Sequence, residues 1–265
     1  AMKMNYRAMR LDCLVTLGGN GTHKTANLLS QEGLNVIGLP KTIDNDIYGT
    51  DFTFGFHTAV DIATDVIDRI HTTAASHNRV MVVEIMGNKA GWLTLYSGIA
   101  GGADVILIPE IAYDINKVAQ VVEERAKNKK YFTIIAAAEG ALSVEETQMK
   151  RKEREALWEQ DPLKSVAQRI AAQLTKITNA ECRAVIPGHM QRGGSPCAYD
   201  RVLSTEFGVR AAQLIKEGRF GLTVALKDGR IGENRLEDVA GVPKPVDPQD
   251  QTVISARDIN ISFGD

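Results

Sequence analysis

The chain has 265 residues, 44% of them hydrophobic, which is enough for one large or two modest domains with a buried core and excludes general disorder. Its 31 basic and 33 acidic side chains leave a net charge of -2, which excludes a global basic field that would hold nucleic acid or an anionic membrane. No apolar run approaches the roughly 20 residues needed to span a bilayer, and residues 1–12 lack the apolar core of a signal peptide, so we expect a cytoplasmic protein. The three cysteines are too widely spaced to predict a disulfide framework or a zinc site.

Short β-branched runs alternate with longer amphipathic ones, a pattern that predicts βα units around a parallel sheet. The predicted strands cover residues 13–17, 35–39, 79–85, 104–108, 132–138, 183–186 and 222–226. The predicted helices cover residues 23–31, 57–73, 115–126, 166–177 and 202–215. Because runs such as VMVVEI are apolar throughout, the strands are expected to be buried on both faces, as in a doubly wound α/β fold.

Two segments fall outside this pattern. Residues 145–159 are the most polar in the chain, and we interpret them as a solvated helix or a connecting loop. Residues 242–251 are rich in proline and aspartate, which is typical of a surface extension.

The first predicted strand runs into Gly18-Gly19-Asn20-Gly21-Thr22 and then into a helix. Glycines at a strand-to-helix turn let the backbone approach a ligand, and the helix N-terminus offers free N–H groups to a phosphate. The alternative is a tight turn in which glycine serves sterics alone.

The second predicted strand ends at the segment PKTIDND, residues 40–46. Asp44 and Asp46 follow the carboxyl end of this strand, where open α/β sheets bind ligands. One carboxylate could act as a base while the other holds a metal, and Lys41 adds a cation for a phosphate. A surface turn rich in Asp and Asn is the alternative interpretation.

A third cluster, residues 180–196, places Arg183, His189 and Arg192 around the end of a buried strand. Guanidinium groups present paired donors to phosphate oxygens, so this cluster predicts a site for a phosphate monoester.

Three motifs together, GGNGT at 18–22, PKTIDND at 40–46 and GHMQRGGSP at 188–196, resemble the phosphofructokinase family. MGNKAGWLTL at 86–95 and AAAEGA at 136–141 fall between them in the expected order, and the resemblance runs from about residue 14 to residue 201. It implies phosphoryl transfer to the 1-hydroxyl of fructose 6-phosphate with Mg²⁺, and two Rossmann-like lobes of doubly wound parallel sheets. The implied lobes are residues 1–55 plus 192–240 for the donor, 56–191 for the sugar phosphate, and a C-terminal extension, 241–265.

The resemblance also implies a role for individual residues. Asp44 is similar to the catalytic base, with Thr42 contacting the same end of the sugar, and Asn20 and Asp46 are similar to the ligands of Mg²⁺. Binding of the donor phosphates is implied for Gly19, Asn20, Gly21, Thr22 and Lys41. Binding of fructose 6-phosphate is implied for Met86, Gly87, Glu139, His189 and Arg192. It is also implied for Arg79 and Arg183, which resemble the arginines that family members contribute across a subunit interface. The resemblance therefore implies a homo-oligomer, dimer or tetramer, with shared sites.

The sequence departs from the family pattern at three places. Asn20 stands where the family has Asp, and Asn88 stands where it has Arg. The family's first strand, with its own phosphate loop and an arginine, would precede residue 1, so the chain resembles an N-terminally truncated member with an incomplete first lobe. Gly21 leaves room for a nucleotide and points to ATP as the donor.

Three other functions remain open at this point. One is a phosphofructokinase that uses pyrophosphate, and another is a kinase of the NAD or lipid type, which shares a similar glycine loop. The third is a non-catalytic or regulatory homologue, which the two asparagines favour and the retained Asp44, Glu139 and Arg192 oppose.

Overall fold

A computed structural model describes residues 2–265, which form two compact units. Unit 1 contains residues 2–58 and 195–244, and unit 2 contains residues 59–194 and 245–265. The strands are β1 Leu14–Gly18, β2 Val36–Pro40, β3 Val80–Ile85, β4 Val105–Leu107, β5 Thr133–Ala138, β6 Cys182–Val185, β7 Leu222–Lys227 and β8 Arg230–Arg235. The helices are α1 Met2–Ala8, α2 Asn20–Gln31, α3 Phe56–His77, α4 Trp92–Ala100, α5 Ile115–Lys127, α6 Val144–Gln148, α7 Arg151–Gln160, α8 Val166–Ile177, α9 Ala198–Lys216, α10 Leu236–Val239 and α11 Gln251–Asp258, with a 3₁₀ helix at Gly188–Arg192.

Unit 1 is built on a four-stranded sheet of order β1-β2-β7-β8. The first three strands are parallel, and β8 returns antiparallel to β7. Ile37 and Leu39 pack with α9 in one apolar cluster, whereas Val36 packs with α2 in another. Successive residues of a strand face opposite sides of the sheet, so the two helices cover opposite faces. The register pairs Gly18 with Pro40, so the segments after β1 and β2 leave the sheet side by side.

Unit 2 is built on a parallel sheet of order β4-β5-β3-β6. Helices α5 and α8 share one apolar cluster with alternate residues of these strands. On the other face, Gly98 of α4 approaches Ile106 and Ala136 so closely that an added Cβ would collide with Ile106. Both faces are thus covered, which explains the continuous apolar runs. The register pairs Ile85 with Ala138, so Met86 and Glu139 follow neighbouring strand ends.

The structure confirms the doubly wound α/β prediction, and all seven predicted strands are present. The helix predicted over residues 23–31 corresponds to α2, and its predicted start was wrong because α2 begins at Asn20. Residues 145–159 contribute to α6 and α7, neither of which has a buried residue, in keeping with the predicted solvated segment. None of the helices within residues 2–265 combines the length and apolarity that crossing a bilayer demands.

The C-terminal residues, expected as a separate extension over 241–265, divide between the two units after Lys244. Residues 245–265 join unit 2 because Val246 N donates to the Glu110 carboxylate at 2.8 Å and Phe263 is fully buried. The donor-lobe segment expected over 192–240 corresponds to residues 195–244 of unit 1.

Candidate active site

The glycine loop of unit 1 joins the end of β1 to the first turn of α2. A Cβ on Gly18 would collide with the side chain of Thr22, so the turn requires glycine there. Gly19 is the N-cap residue and has no side chain to cover the helix amides. Because α2 begins at Asn20, the N–H groups of Asn20, Gly21 and Thr22 lie in its first turn, where no intrahelical acceptor exists. The predicted donor-phosphate residues 19–22 therefore lie at a helix N-terminus, whose free amides are suited to an anion.

The space around Gly21 bears on what this terminus can accept. Gly21 is exposed, and a Cβ added there would meet no atom within 4 Å. The chain therefore leaves open room over the first turn of α2.

The segment after β2 begins beside this loop. Lys41 N donates to Gly18 O at 3.1 Å, while the Lys41 side chain is exposed. Asp44 N donates to Thr42 Oγ1 at 3.2 Å, which fixes the predicted base relative to the predicted sugar contact. Asp44 is partly exposed and so can be reached by a ligand.

Asn45 holds this segment in shape, although sequence reasoning gave it no role. It is 1% exposed and adopts a φ of 51°, a conformation that asparagine tolerates better than most residues. Its Oδ1 accepts from Thr53 N at 3.1 Å, and its Nδ2 donates to Asp51 O at 3.3 Å. An Asn between Asp44 and Asp46 after a buried strand was the signal that could have identified it.

Asn20 and Asp46 tie the two loops together, and each has one side-chain oxygen of the kind that binds a hard cation. Asn20 Nδ2 donates to Asp46 Oδ2 at 2.8 Å and to Asp46 O at 3.0 Å. Asn20 Oδ1 and Asp46 Oδ1 are buried and accept no hydrogen bond. Two such oxygens fit Mg²⁺, which usually takes one or two protein ligands and completes its shell with water and substrate phosphates. Residues 2–265 contain no cluster of three or more His, Cys, Asp or Glu side chains suited to a metal.

His23 lies beneath the glycine loop and was also missed from the sequence. It is fully buried, with Nδ1 3.1 Å from Gly19 O and Nε2 2.9 Å from Thr223 Oγ1. Burial lowers the pKa of the imidazole, so the neutral form is favoured. Thr223 Oγ1 also lies 3.0 Å from Gly38 O, so this buried chain links α2 to β2 and β7.

In unit 2 the loop after β3 is organised by Glu139. Glu139 Oε1 accepts from Gly87 N at 3.2 Å and from Asn88 N at 2.7 Å. The two residues have φ angles of 142° and 54°, in the region that favours glycine and tolerates asparagine. Asn88 thus suits the backbone of this turn, and Met86 before it is 9% exposed.

The 3₁₀ helix after β6 carries His189 and Arg192, both exposed. Gln191 between them is 1% exposed, and sequence reasoning gave it no role. The structure therefore brings Met86, Gly87, Glu139, His189 and Arg192 to the carboxyl-end edge of the sheet of unit 2.

Arg79 and Arg183 lie elsewhere, at the amino ends of β3 and β6. Glu181 Oε1 pairs with Arg79 at 3.0 Å and with Arg183 at 2.5 Å, and these ion pairs lower the pKa of the Glu181 carboxyl. Strand β3 has six residues, which span roughly 20 Å. The two arginines of this chain are therefore separated from its own His189 and Arg192 by the length of the sheet.

Comparison with known sequences gives a consistent result. The profile of the family described as Phosphofructokinase matches residues 1–215. A protein of Spirochaeta thermophila named ATP-dependent 6-phosphofructokinase is 53% identical over 261 residues, which cover 98% of this chain and 71% of that protein. A Clostridium perfringens protein named ATP-dependent 6-phosphofructokinase 2 is 48% identical over 98% of this chain and 72% of its own length.

Comparison with solved structures supports the same fold. Phosphofructokinase from Saccharomyces cerevisiae superposes with a TM-score of 0.77 at 27% identity, covering 98% of this chain and 36% of the yeast chain. The pyrophosphate-dependent phosphofructokinase of Marinobacter aquaeolei gives a TM-score of 0.75, covering 97% of this chain and 69% of that one. At 22% identity, this second likeness shows the fold alone.

Proposed function

The chain belongs to the phosphofructokinase family, and on that premise we propose that it transfers the terminal phosphoryl group of ATP to fructose 6-phosphate in glycolysis. The product is fructose 1,6-bisphosphate. The observation that carries the proposal is the 53% identity, over 98% of the chain, with a relative named ATP-dependent 6-phosphofructokinase.

Asp44 is the base in this proposal. As the 1-hydroxyl oxygen attacks the terminal phosphorus, a new O–P bond forms, the bond to the bridging oxygen of ADP breaks, and the hydroxyl proton passes to the Asp44 carboxylate. The partial exposure of Asp44 supports this role, and Thr42 positions it through the hydrogen bond to the Asp44 amide.

The donor phosphates are assigned to the first turn of α2, with Lys41 as a further cation. The open space at Gly21 supports a nucleotide donor, because a side chain there would fill the room that the nucleotide needs. Asn20 and Asp46 would hold Mg²⁺ through their unpartnered oxygens. Bound there, the ion would neutralise phosphate charge and orient the transferring group.

The sugar phosphate is assigned to unit 2, where Met86, Gly87 and Glu139 would face the sugar and His189 and Arg192 would bind the 6-phosphate. Arg79 and Arg183 lie at the far end of the same sheet, so the proposal gives them to the site of a neighbouring subunit. This assignment requires a homo-oligomer, dimer or tetramer, and the proposal places it in the cytoplasm.

The test is turnover of the full chain with fructose 6-phosphate, Mg²⁺ and either ATP or pyrophosphate. We expect ADP to form only when the sugar phosphate is present, and we expect Asp44→Asn to lower kcat by about 10²–10⁴-fold with sugar binding retained. Turnover with pyrophosphate but not with ATP would show that the proposed donor is wrong. Phosphorylation of NAD in place of fructose 6-phosphate would show that the proposed acceptor is wrong. Asp228→Asn, on the hairpin between β7 and β8, is a matched control with unchanged kcat.

A further inference from the structure

Strand β6 ends while its neighbour β3 continues. The register pairs Val83 with Val185, and its continuation by two residues places Pro187 opposite Ile85. Pro187 has no N–H, and its φ and ψ of -64° and -30° turn the chain into the 3₁₀ helix. The backbone of β6 therefore stops supplying partners to β3 at this point.

The missing hydrogen bonds can be named from the parallel ladder. At the other end of the pair, Val80 N donates to Glu181 O at 3.0 Å. In a parallel ladder this pattern of hydrogen bonds repeats every two residues along each strand. Six residues beyond Val80, it makes residue 187 the donor to Glu84 O and the acceptor from Met86 N. A proline cannot make the first of these bonds, so the end of β3 needs another partner.

The side chain of Gln191 supplies both bonds. Its Oε1 accepts from Met86 N at 3.0 Å, and its Nε2 donates to Glu84 O at 3.4 Å. The same Nε2 lies 3.3 Å from Gly188 O, and Gln191 is 1% exposed. A side-chain amide carries the same donor and acceptor as a peptide group, so Gln191 takes the place of the missing peptide of residue 187.

We propose that Gln191 is a positioning residue for fructose 6-phosphate, acting through the backbone that it joins. On one side it fixes Met86 and hence the turn at Gly87, and on the other it anchors the 3₁₀ helix that carries His189 and Arg192. The inference rests on the proposed function, since those four residues are the sugar-phosphate ligands of that proposal. Because the side chain itself is buried, its effect on the substrate is indirect.

The decisive variant is Gln191→Met, which keeps the length of the side chain and removes its donor and acceptor. We expect the KM for fructose 6-phosphate to rise about tenfold or more, while the KM for ATP changes less than twofold. A purely structural role would lower the active fraction, and hence kcat, without this split between the two KM values. Gln168→Met is the matched control, because Gln168 accepts only from Ser165 N in the capping box of α8, and both KM values should stay unchanged.

A second measurement does not depend on activity. In the parent chain the Met86 amide is hydrogen-bonded and should be protected from hydrogen exchange, and in Gln191→Met its exchange should be about tenfold faster or more. Unchanged exchange and an unchanged KM for fructose 6-phosphate would overturn the inference. If the parent chain shows no turnover but the Met86 amide still exchanges faster in Gln191→Met, the proposed function would be overturned. The hydrogen bonds from Gln191 to the end of β3 would then still be established.

Discussion

Replacing Glu139 separates two tasks that one carboxylate could serve, contact with a sugar hydroxyl and support of the loop after β3. Its Oε1 accepts from Gly87 N at 3.2 Å and Asn88 N at 2.7 Å, and both residues have positive φ. Glu139→Ala removes the oxygen that accepts both bonds, whereas Glu139→Gln keeps one oxygen as acceptor and replaces the charged carboxylate by a neutral amide.

The expected magnitudes follow from these two bonds. A hydrogen bond to a charged group contributes about 1.5–3 kcal/mol, and the exposure of Glu139 places each bond at the lower end. Loss of both is about 3 kcal/mol, or roughly a hundredfold rise in the KM for fructose 6-phosphate in Glu139→Ala. Glu139→Gln keeps neutral hydrogen bonds of about 1 kcal/mol each, so its loss is about 1 kcal/mol and its KM rises about fivefold.

The assay is steady-state turnover at saturating ATP, with the exposed Glu123→Ala on α5 as the control. A KM within twofold of the parent in Glu139→Ala would refute support of the loop as a determinant of binding. If Glu139→Gln is as damaging as Glu139→Ala, then the charge matters more than the loop acceptor, and direct contact with the sugar explains the effect.

Three further sets of variants test the metal site, the shared sugar-phosphate site and the buried carboxyl of Glu110. Asn20→Asp adds a carboxylate beside Asp46 and should lower the Mg²⁺ concentration for half-maximal activity several-fold, measured by Mg²⁺ titration. Asp44→Asn and Arg183→Ala should each be inactive alone, but a mixture of the two subunits should recover about a quarter of the parent activity. Half of the randomly mixed dimers are hybrids, and one of the two shared sites in each hybrid is intact. Burial raises the pKa of the Glu110 carboxyl in the folded chain. The free energy of unfolding should therefore fall as the pH rises from the ordinary pKa of a glutamate through this raised pKa. Thermal unfolding at pH 4–8 should lose that dependence in Glu110→Gln. Glu110→Ala should cost about 2–3 kcal/mol, because buried amides, including that of Val246, lose their acceptor.

For each of these sets of variants, one result would contradict the expectation. An unchanged Mg²⁺ requirement in Asn20→Asp would remove Asn20 from the metal site. No recovery in the mixed subunits, with hybrid formation shown by native mass spectrometry, would place Arg183 outside any shared site. A pH dependence that persists in Glu110→Gln would mean that another group titrates.

The strands and the edges that carry the site could be predicted because their signal is local. Continuous apolar runs identify strands buried on both faces, and parallel strands bring their carboxyl ends to one edge. Helix α4 was not predicted, since six of its nine residues are buried and no polar face marks its period. Strand β8 was missed although Asp228 and Gly229 before it, both at positive φ, form a dipeptide typical of hairpin turns.

Supporting residues were beyond prediction for a different reason. Gln191 satisfies backbone groups at the end of β3, His23 pairs with the Thr223 side chain of β7, and Asn45 satisfies backbone groups of residues 51 and 53. The value of these side chains therefore depends on register and tertiary packing. A motif shows which residues occur together, but it does not distinguish a buried amide that replaces a peptide from an exposed one that binds a ligand. Gln191 stands between the exposed His189 and Arg192, and only its burial sets it apart.

The outer strand of unit 1 bears on how subunits can associate. Strand β8 has the sequence RIGENR, and Glu233 within it pairs with Arg219 at 2.6 Å and with Arg210 at 3.2 Å. A strand on the edge of a sheet invites another chain to add its own strand, and charged side chains oppose that addition. The charged side chains of the β8 edge therefore oppose strand-by-strand aggregation of this protein at that edge.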